Sequence, residues 1–465
     1  MRTHRTAFFA MLPIAFLTLA GCGGAKTEPT QPIPSPQTEI QPELPKPPGK
    51  PAAGNPASTT EPAPSPLPPP VPVSSADKAR VEDAEKKGAS VYEAQNGGYE
   101  VRIEAQADAD SLLAILKGTK CIVGLSIEGD KLSDAAFASV SGFEYLERLT
   151  LHKCSKLTGT GFDSLAGLTR LKSLAISECP ISDAACKPLG RIKSLEEVRL
   201  VRTKVSDTGL RELAALPSLE SLMLEGSPVN GTAFASTGWV KLRDLDAMGS
   251  PLDDVGIEAI GSLPALETLR VNSAQITDTG VRHLERAKKL AELSLVGVKL
   301  TDAGLAALAG LESLRLLDLS NTAITGSGFA KFPSRPELRK LTLSDTKFND
   351  AGATNLAKFT GLTNLALANC PASDTGLTVL SDLKKLANCN LSGTAASDDT
   401  AKLVGVFPDL EDANFARTKI TDAGVKSLAS GMKIRQIDAR GTKVTKEGAE
   451  RAKMGRTRLE IRAGE

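Results

Sequence analysis

The sequence predicts an α/β solenoid, with one strand and one short helix to each turn. Three observations carry this. Apolar frames of the form LxxLxL recur from Ile122 to Ile434, fourteen in all, at a spacing of 24 residues broken by single steps of 25 and 23. A fixed period of that size marks stacked repeats. In frames such as "LRLLDLSNTAI", Leu314 to Ile324, apolar and polar residues alternate, as Leu317, Asp318 and Leu319 do, which is the period of a strand. After each strand comes a polar, cap-competent residue followed by residues at helical spacing, as in "LTDAGLAALAGL" from Leu300 to Leu311.

Taken from the amino terminus, the elements differ sharply in composition. "MRTHR" carries Arg2 and Arg5, and an apolar run from Ala7 to Ala20 follows. The run is shorter than the ~20 apolar residues that span a bilayer. It has the parts of an export signal, so residues 1–21 read as a signal peptide. The signal ends in "LAGC", Leu19 to Cys22, which resembles the lipobox of bacterial lipoproteins. That resemblance implies diacylation of Cys22 and anchoring to a membrane. An ordinary signal with an incidental cysteine is the alternative. Gly23 stands where many inner-membrane lipoproteins have Asp, and periplasmic and cell-surface placements both fit.

Residues 22–75 hold 17 of the chain's 28 prolines, in runs such as "PSPLPPPVPV". Such a stretch cannot bury a core and favours extended polyproline II. It reads as a tether. Residues 76–121 read as an amino-terminal cap: a helix in "ADKARVEDAEKKG", a hairpin about Asn96-Gly97-Gly98, and a short helix from Asp110 to Leu116. The array then occupies residues 122–465, with "RLEIR" near its end as a further fragment that closes it.

The frames, read as LxxLxLxx(N/C)xL, resemble the leucine-rich repeats over roughly residues 122–461. The likeness is to the 24-residue arrays of bacterial exported proteins and to the cysteine-containing subfamily. It implies a horseshoe with parallel strands on the concave face and short helices on the convex face. Two residues past the strand, eleven of fourteen units hold Thr, Ser or Cys, among them Cys154, Cys179, Thr322 and Cys370. In the family this position bonds backbone inside the coil, so these cysteines are expected as buried thiols. A disulfide between Cys154 and Cys179, in adjacent units, is the competing expectation.

The position of Thr301 is Thr, Ser, Asn or Asp in every unit, the residue set of a helix N-cap. The position of Asp302 is Asp in ten units, expected to interact with the helix dipole. Gly304 is expected to let neighbouring helices approach. One carboxylate per unit does not converge on a cation, so no metal site and no cofactor is expected. Two units break the pattern: "VNGTAFASTGWVK", with the single Trp239, and "ITGSGFAKFPSRPE". They are expected to be locally irregular, with a partner contact at Trp239 as the sharper reading.

Lys plus Arg is 56 and Asp plus Glu is 55, a balance without the cation excess on which nucleic-acid binding rests. Aromatics are 4% of the chain, too few for stacking platforms. No catalytic fingerprint occurs, and no small-molecule substrate is expected. His152 shares a row with Glu128 and Ser177, but flat sheet neighbours form neither pocket nor oxyanion hole. His283 is placed on an exposed convex helix.

In the solenoid frame, the residues that differ from unit to unit lie on the strands. Asn388, Asn390, Asp412, Asn414, Gln436 and Asp438 fall on one face of three neighbouring strands, within about 5–8 Å of each other. They form the candidate surface for a protein partner; a face kept polar for solubility is the plainer reading. Arg199 with Arg202, and Arg270, form a second candidate. The sequence thus points to a lipid-anchored, extracytoplasmic interaction or scaffold module at the cell envelope. A structural spacer is the alternative, and an enzyme a distant third.

Overall fold

The computed structural model describes residues 70–464. The expected signal peptide, Cys22 and the expected tether up to residue 69 lie outside the described residues. The first helix, α1 (Ser75–Lys86), is capped by Ser74, whose side chain accepts the N–H of Asp77 at 3.0 Å. Strands β1 (Ala89–Glu93) and β2 (Tyr99–Ile103) pair antiparallel, and the turn between them uses Gly97 at φ +83°. Helix α2 (Ala109–Leu116) follows, capped by Asp108. Val81, Ala84, Val101, Leu112 and Leu116 from these elements join the same apolar core as the repeats.

There are seventeen strands among the described residues, two in the hairpin and fifteen in the array. From β2 onward every strand pairs in parallel with the next in sequence; the first pair shifts register between Tyr99 and Glu100, and beyond it the register holds repeat by repeat. Leu293 lies opposite Leu317, and Leu317 opposite Leu341, all fully buried. "RLEIR" supplies the last strand, Glu460–Gly464, parallel to Gln436–Arg440. The sheet is open, with the strands on one face of the solenoid and the short helices on the other.

Leaving each strand, the chain passes through the left-handed region in most units. Gly226, Gly249 and Gly297 do so freely, whereas Arg202, Asn321, Asp345 and Arg417 carry the strain of a side chain at φ near +55°. The next residue anchors the turn. Thr322 and Thr346 donate to the carbonyls of Leu319 and Leu343 of their own unit, each at 2.7 Å. Ser227, Ser250 and Cys370 reach back instead to Leu200, Leu224 and Leu343 of the preceding unit. This position therefore bonds the coil interior in two ways, according to side-chain geometry.

The convex side shows a device the dipole argument missed. The aspartate at the start of each helix bonds forward to the cap of the next unit. Asp278 accepts the N–H of Thr301 at 2.8 Å and also its hydroxyl; Asp350, Asp398 and Asp422 do the same for Ser373, Thr421 and Thr445. Thr301 in turn caps its own helix by accepting from Ala303 N–H at 3.2 Å. The glycine two residues on leaves room for that carboxylate. A Cβ on Gly304 would stand 2.3 Å from Asp278 Oδ1, and one on Gly424 2.3 Å from Asp398 Oδ1. Thr-Asp-x-Gly is thus an inter-repeat clamp, and close approach is to the neighbour's carboxylate as much as to its helix.

Three units replace the aspartate with a left-handed glycine: Gly159, Gly231 and Gly326. Their convex segments are 3-10 helices only: Thr160–Leu165, Thr232–Ala235 and Ser327–Lys331. There the preceding aspartate is held more tightly. Asp302 accepts from Thr325, Gly326 and Gly328 N–H at 2.9, 3.0 and 2.9 Å. Burial alone would raise its carboxyl, but these bonds outweigh it and hold it below the usual carboxylate range.

Candidate functional site

Each mid-strand residue faces out from the concave sheet because its neighbours point inward. The amino-terminal part of this face is paired with itself. Arg148 bonds Glu100, Arg199 bonds Glu197 at 2.6 Å, Arg202 sits between Glu178 and Glu225 at 3.3 and 3.4 Å, and Arg270 bonds Glu292 at 2.9 Å. Arg199, Arg202 and Arg270, the second candidate surface, are therefore each engaged by an acid on their own or a neighbouring strand.

The six candidate residues lie together as their register requires. Asn388 is opposite Asp412 and Asp412 opposite Gln436; Asn390 is opposite Asn414 and Asn414 opposite Asp438. They divide into two rows with different duties. In the second row each side chain accepts the N–H two residues on: Ser392 to Asn390 at 3.1 Å, Ala416 to Asn414 at 3.0 Å, Arg440 to Asp438 at 3.1 Å. Asp318 and Asp246 do the same for Ser320 and Met248. These are Asx turns that end the strand. Asp438 is also gripped by the Arg440 guanidinium at 2.5 Å and is only 6% exposed. The Arg440 hydrogen bond holds its carboxyl below the usual range, against the effect of burial. In the first row, Asn388, Asp412 and Gln436 make no side-chain hydrogen bond among the described residues.

Toward the amino terminus from this patch the face dips. A depression of about 180 Å³ is lined by Lys340, Thr342, Asn364, Ala366, Asn388, Asn390, Asp412 and Asn414. Ala366 opens it, being short between Thr342 and Asn390 on the neighbouring strands. Lys340, Thr342 and Asn364 extend the sequence-derived surface. Their signal was available in the same register, one and two repeats earlier.

Other candidates are accounted for structurally. Glu128, His152 and Ser177 do share a row, yet no hydrogen bond joins them. His283 is only partly exposed, its Nδ1 3.7 Å from Glu258. Trp239 is 3% exposed; its indole N–H donates to Ala233 C=O at 3.1 Å and its ring packs on Phe234 at 5.2 Å. A cavity of about 550 Å³ lies beside it on the convex side, between Phe234, Val240, Val255 and Leu263. The second irregular unit buries Phe329 and Phe332 against Phe359. All six cysteines from Cys121 to Cys389 are free and buried. Cys179 Sγ accepts Cys154 N–H at 3.3 Å, so the two sit in adjacent turns as thiols, not as a disulfide. No group of three metal-ligating side chains occurs among the described residues. No described helix is long and apolar enough to cross a membrane.

No protein-family model matches the sequence, and no curated protein matches it. Solved structures do match. An internalin from Listeria monocytogenes is 18% identical, covering 85% of this chain and 97% of its own, with a TM-score of 0.50. A leucine-rich-repeat protein of Leptospira interrogans is 16% identical, covering 75% and 91%, with a TM-score of 0.55. A chain from the mouse RP105/MD-1 complex is 17% identical, covering 76% and 61%, with a TM-score of 0.53. Identities this low speak to fold. Together with the in-register parallel sheet and its convex caps, they make this chain a leucine-rich-repeat solenoid.

Proposed function

We propose that this chain is a lipid-anchored interaction module of the cell envelope. It is exported, acylated at Cys22, held off a membrane by its proline-rich segment, and presents its concave face to a protein partner. One observation carries the binding reading. Most charged groups on the amino-terminal concave face are satisfied internally, whereas Lys340, Asn388, Asp412 and Gln436 are left with free hydrogen-bonding capacity in one row across five successive strands. A fold neighbour taken from an assembly of RP105 with MD-1 supports a partner of this kind. Nothing in this reading requires catalysis. The self-paired amino-terminal half favours, for that part, the second reading of a spacer.

The test uses the full chain, affinity-tagged, against envelope extracts. A protein retained by the unmodified chain and lost from Asn388→Lys, Asp412→Lys and Gln436→Lys supports the reading. Retention of nothing above background refutes it, and a spacer would tolerate these changes but fail when repeats are deleted. Cys22→Ser should release the chain from membranes; continued membrane association rules out anchoring through Cys22.

A further inference from the structure

The depression between Lys340 and Asp412 has a definite chemistry. Three of its amides are oriented by the protein. Asn390 Oδ1 accepts from both Ser392 N–H and hydroxyl, Asn414 Oδ1 from Ala416 N–H, and Asn364 Oδ1 at 2.8 Å from the Thr363 hydroxyl, whose proton is shared with Arg339 C=O at 3.1 Å. With that oxygen turned to the protein, each NH2 is left to donate, and none meets an acceptor among the described residues. Asn388 keeps both halves of its amide free. Donors fixed in advance favour a ligand rich in carbonyl acceptors.

The two ends carry opposite charge. Lys340 and Asp412 are exposed and enter no ion pair among the described residues, unlike Arg148, Arg199, Arg202 and Arg270 on the same face. They occupy the same register position three strands apart: Lys340 faces Asn364, Asn364 faces Asn388, and Asn388 faces Asp412. At ~4.8 Å per strand this is a span of ~14 Å. An extended chain covers it in about four residues at ~3.3 Å each.

The volume argues against other ligands. About 180 Å³ is less than the roughly 300–1,000 Å³ of pockets that enclose small molecules. No aromatic ring lines the depression on which a sugar or base face could stack. A shallow trough with polar walls suits a strand that stays half in solvent.

We propose that this trough binds an extended polypeptide segment laid across the strands, its main-chain carbonyls met by Asn364, Asn388, Asn390 and Asn414. An acidic side chain lies at the Lys340 end, and a basic one at the Asp412 end about four residues away. This rests on the protein-binding reading above and narrows it to a linear, oppositely charged segment.

The experiment is a charge exchange with the full chain. Fluorescently labelled peptides of Ser, Thr and Gly carry Glu-x-x-x-Lys, Glu-x-x-x-Glu or Lys-x-x-x-Lys, and binding is read by anisotropy. The unmodified chain should prefer Glu-x-x-x-Lys by about fivefold, the size of an exposed ion pair, with a Kd of about 0.1–1 mM. Lys340→Glu should shift the preference to Lys-x-x-x-Lys, and Asp412→Lys to Glu-x-x-x-Glu. Asn388→Ala should weaken all three. Neither charged side chain bonds within the fold, so the variants stay folded. Binding that ignores charge, or none up to about 1 mM, overturns the proposal. If the envelope capture still retains a protein that Asn388→Lys loses, only the extended segment falls and the protein-binding reading stands.

Discussion

Asp278 Oδ1 lies 2.3 Å from where a Cβ on Gly304 would stand, although the two residues are a full repeat apart. The carboxylate is held there by Thr301 N–H at 2.8 Å. Gly304→Ala therefore cannot be accommodated without both disturbing the clamp and moving the Leu300 side chain, 2.5 Å from the same point. A loss of about 1–3 kcal/mol in urea unfolding is expected. Asp278→Ala should cost about 1 kcal/mol, since Thr301 is exposed and water replaces part of the bond. The double variant should cost clearly less than the sum, because removing the carboxylate relieves the shorter of the two contacts and leaves only the flexible end of Leu300 to shift. Strict additivity would refute the steric link.

How much of this was legible depends on distance along the chain. Thr301 as a cap was readable because a cap is local, and the strand ladder of Leu293, Leu317 and Leu341 because its period is fixed. The partner of Asp278 is 23 residues away and invisible within one unit. The clue lay in comparing units. Nine of the ten aspartates are followed one repeat later by a Ser or Thr cap, whereas Gly231 and Gly326 are followed by Asp253 and Asn349. Those two cap their own helices by accepting from Gly256 and Gly352, with no preceding carboxylate to bond. For the candidate surface, register put the six residues in two rows on three neighbouring strands. What register could not supply was occupancy, because the N–H two residues beyond Asn390 or Asp438 becomes available only where the strand turns away.

Acid should loosen the clamps. Burial pushes Asp134, Asp302 and Asp374 up, but hydrogen bonds from the next unit outweigh it and hold each below the ordinary 3.8. A carboxyl lowered in the folded state contributes stability above its unfolded value and loses it as pH falls through the folded one. The urea midpoint should therefore be flat from neutral pH to above 3.8, then drop below it. Asp302→Asn should lower the midpoint at neutral pH and make the acid decline shallower. An unchanged acid slope in that variant would show that Asp302 is not among the groups responsible.

The thiols should be silent in the folded protein. Burial pushes Cys389 and Cys186 up to about 12 and Cys121 to about 11. The hydrogen bond with Cys179, together with burial, raises Cys154. The same bond lowers Cys179, whose silence rests on closed access alone; for the others the thiolate, which is the reactive form, is scarce as well. Native protein treated with iodoacetamide at mildly alkaline pH should keep all six thiols unmodified by mass spectrometry, and modify all six in denaturant. Rapid labelling of Cys154 or Cys179 in the native state would contradict the buried ladder.

The two rows of the candidate surface should part company under substitution. Asp438 is buried, accepts the Arg440 N–H and pairs with its guanidinium. Asp438→Lys leaves a buried cation facing Arg440 and an unsatisfied turn, and should cost about 3–5 kcal/mol. Asn390→Ala and Asn414→Ala each remove one Asx turn, for about 0.5–1.5 kcal/mol. Asn388→Lys, Asp412→Lys and Gln436→Lys touch no bond within the fold and should stay within about 0.5 kcal/mol of the parent. Only the last three can separate loss of a partner from loss of structure. If Asp438→Lys unfolds at the same urea concentration as the parent, the turn and ion pair do not hold the strand end. In that case Asp438 returns to the pool of residues free to meet a partner.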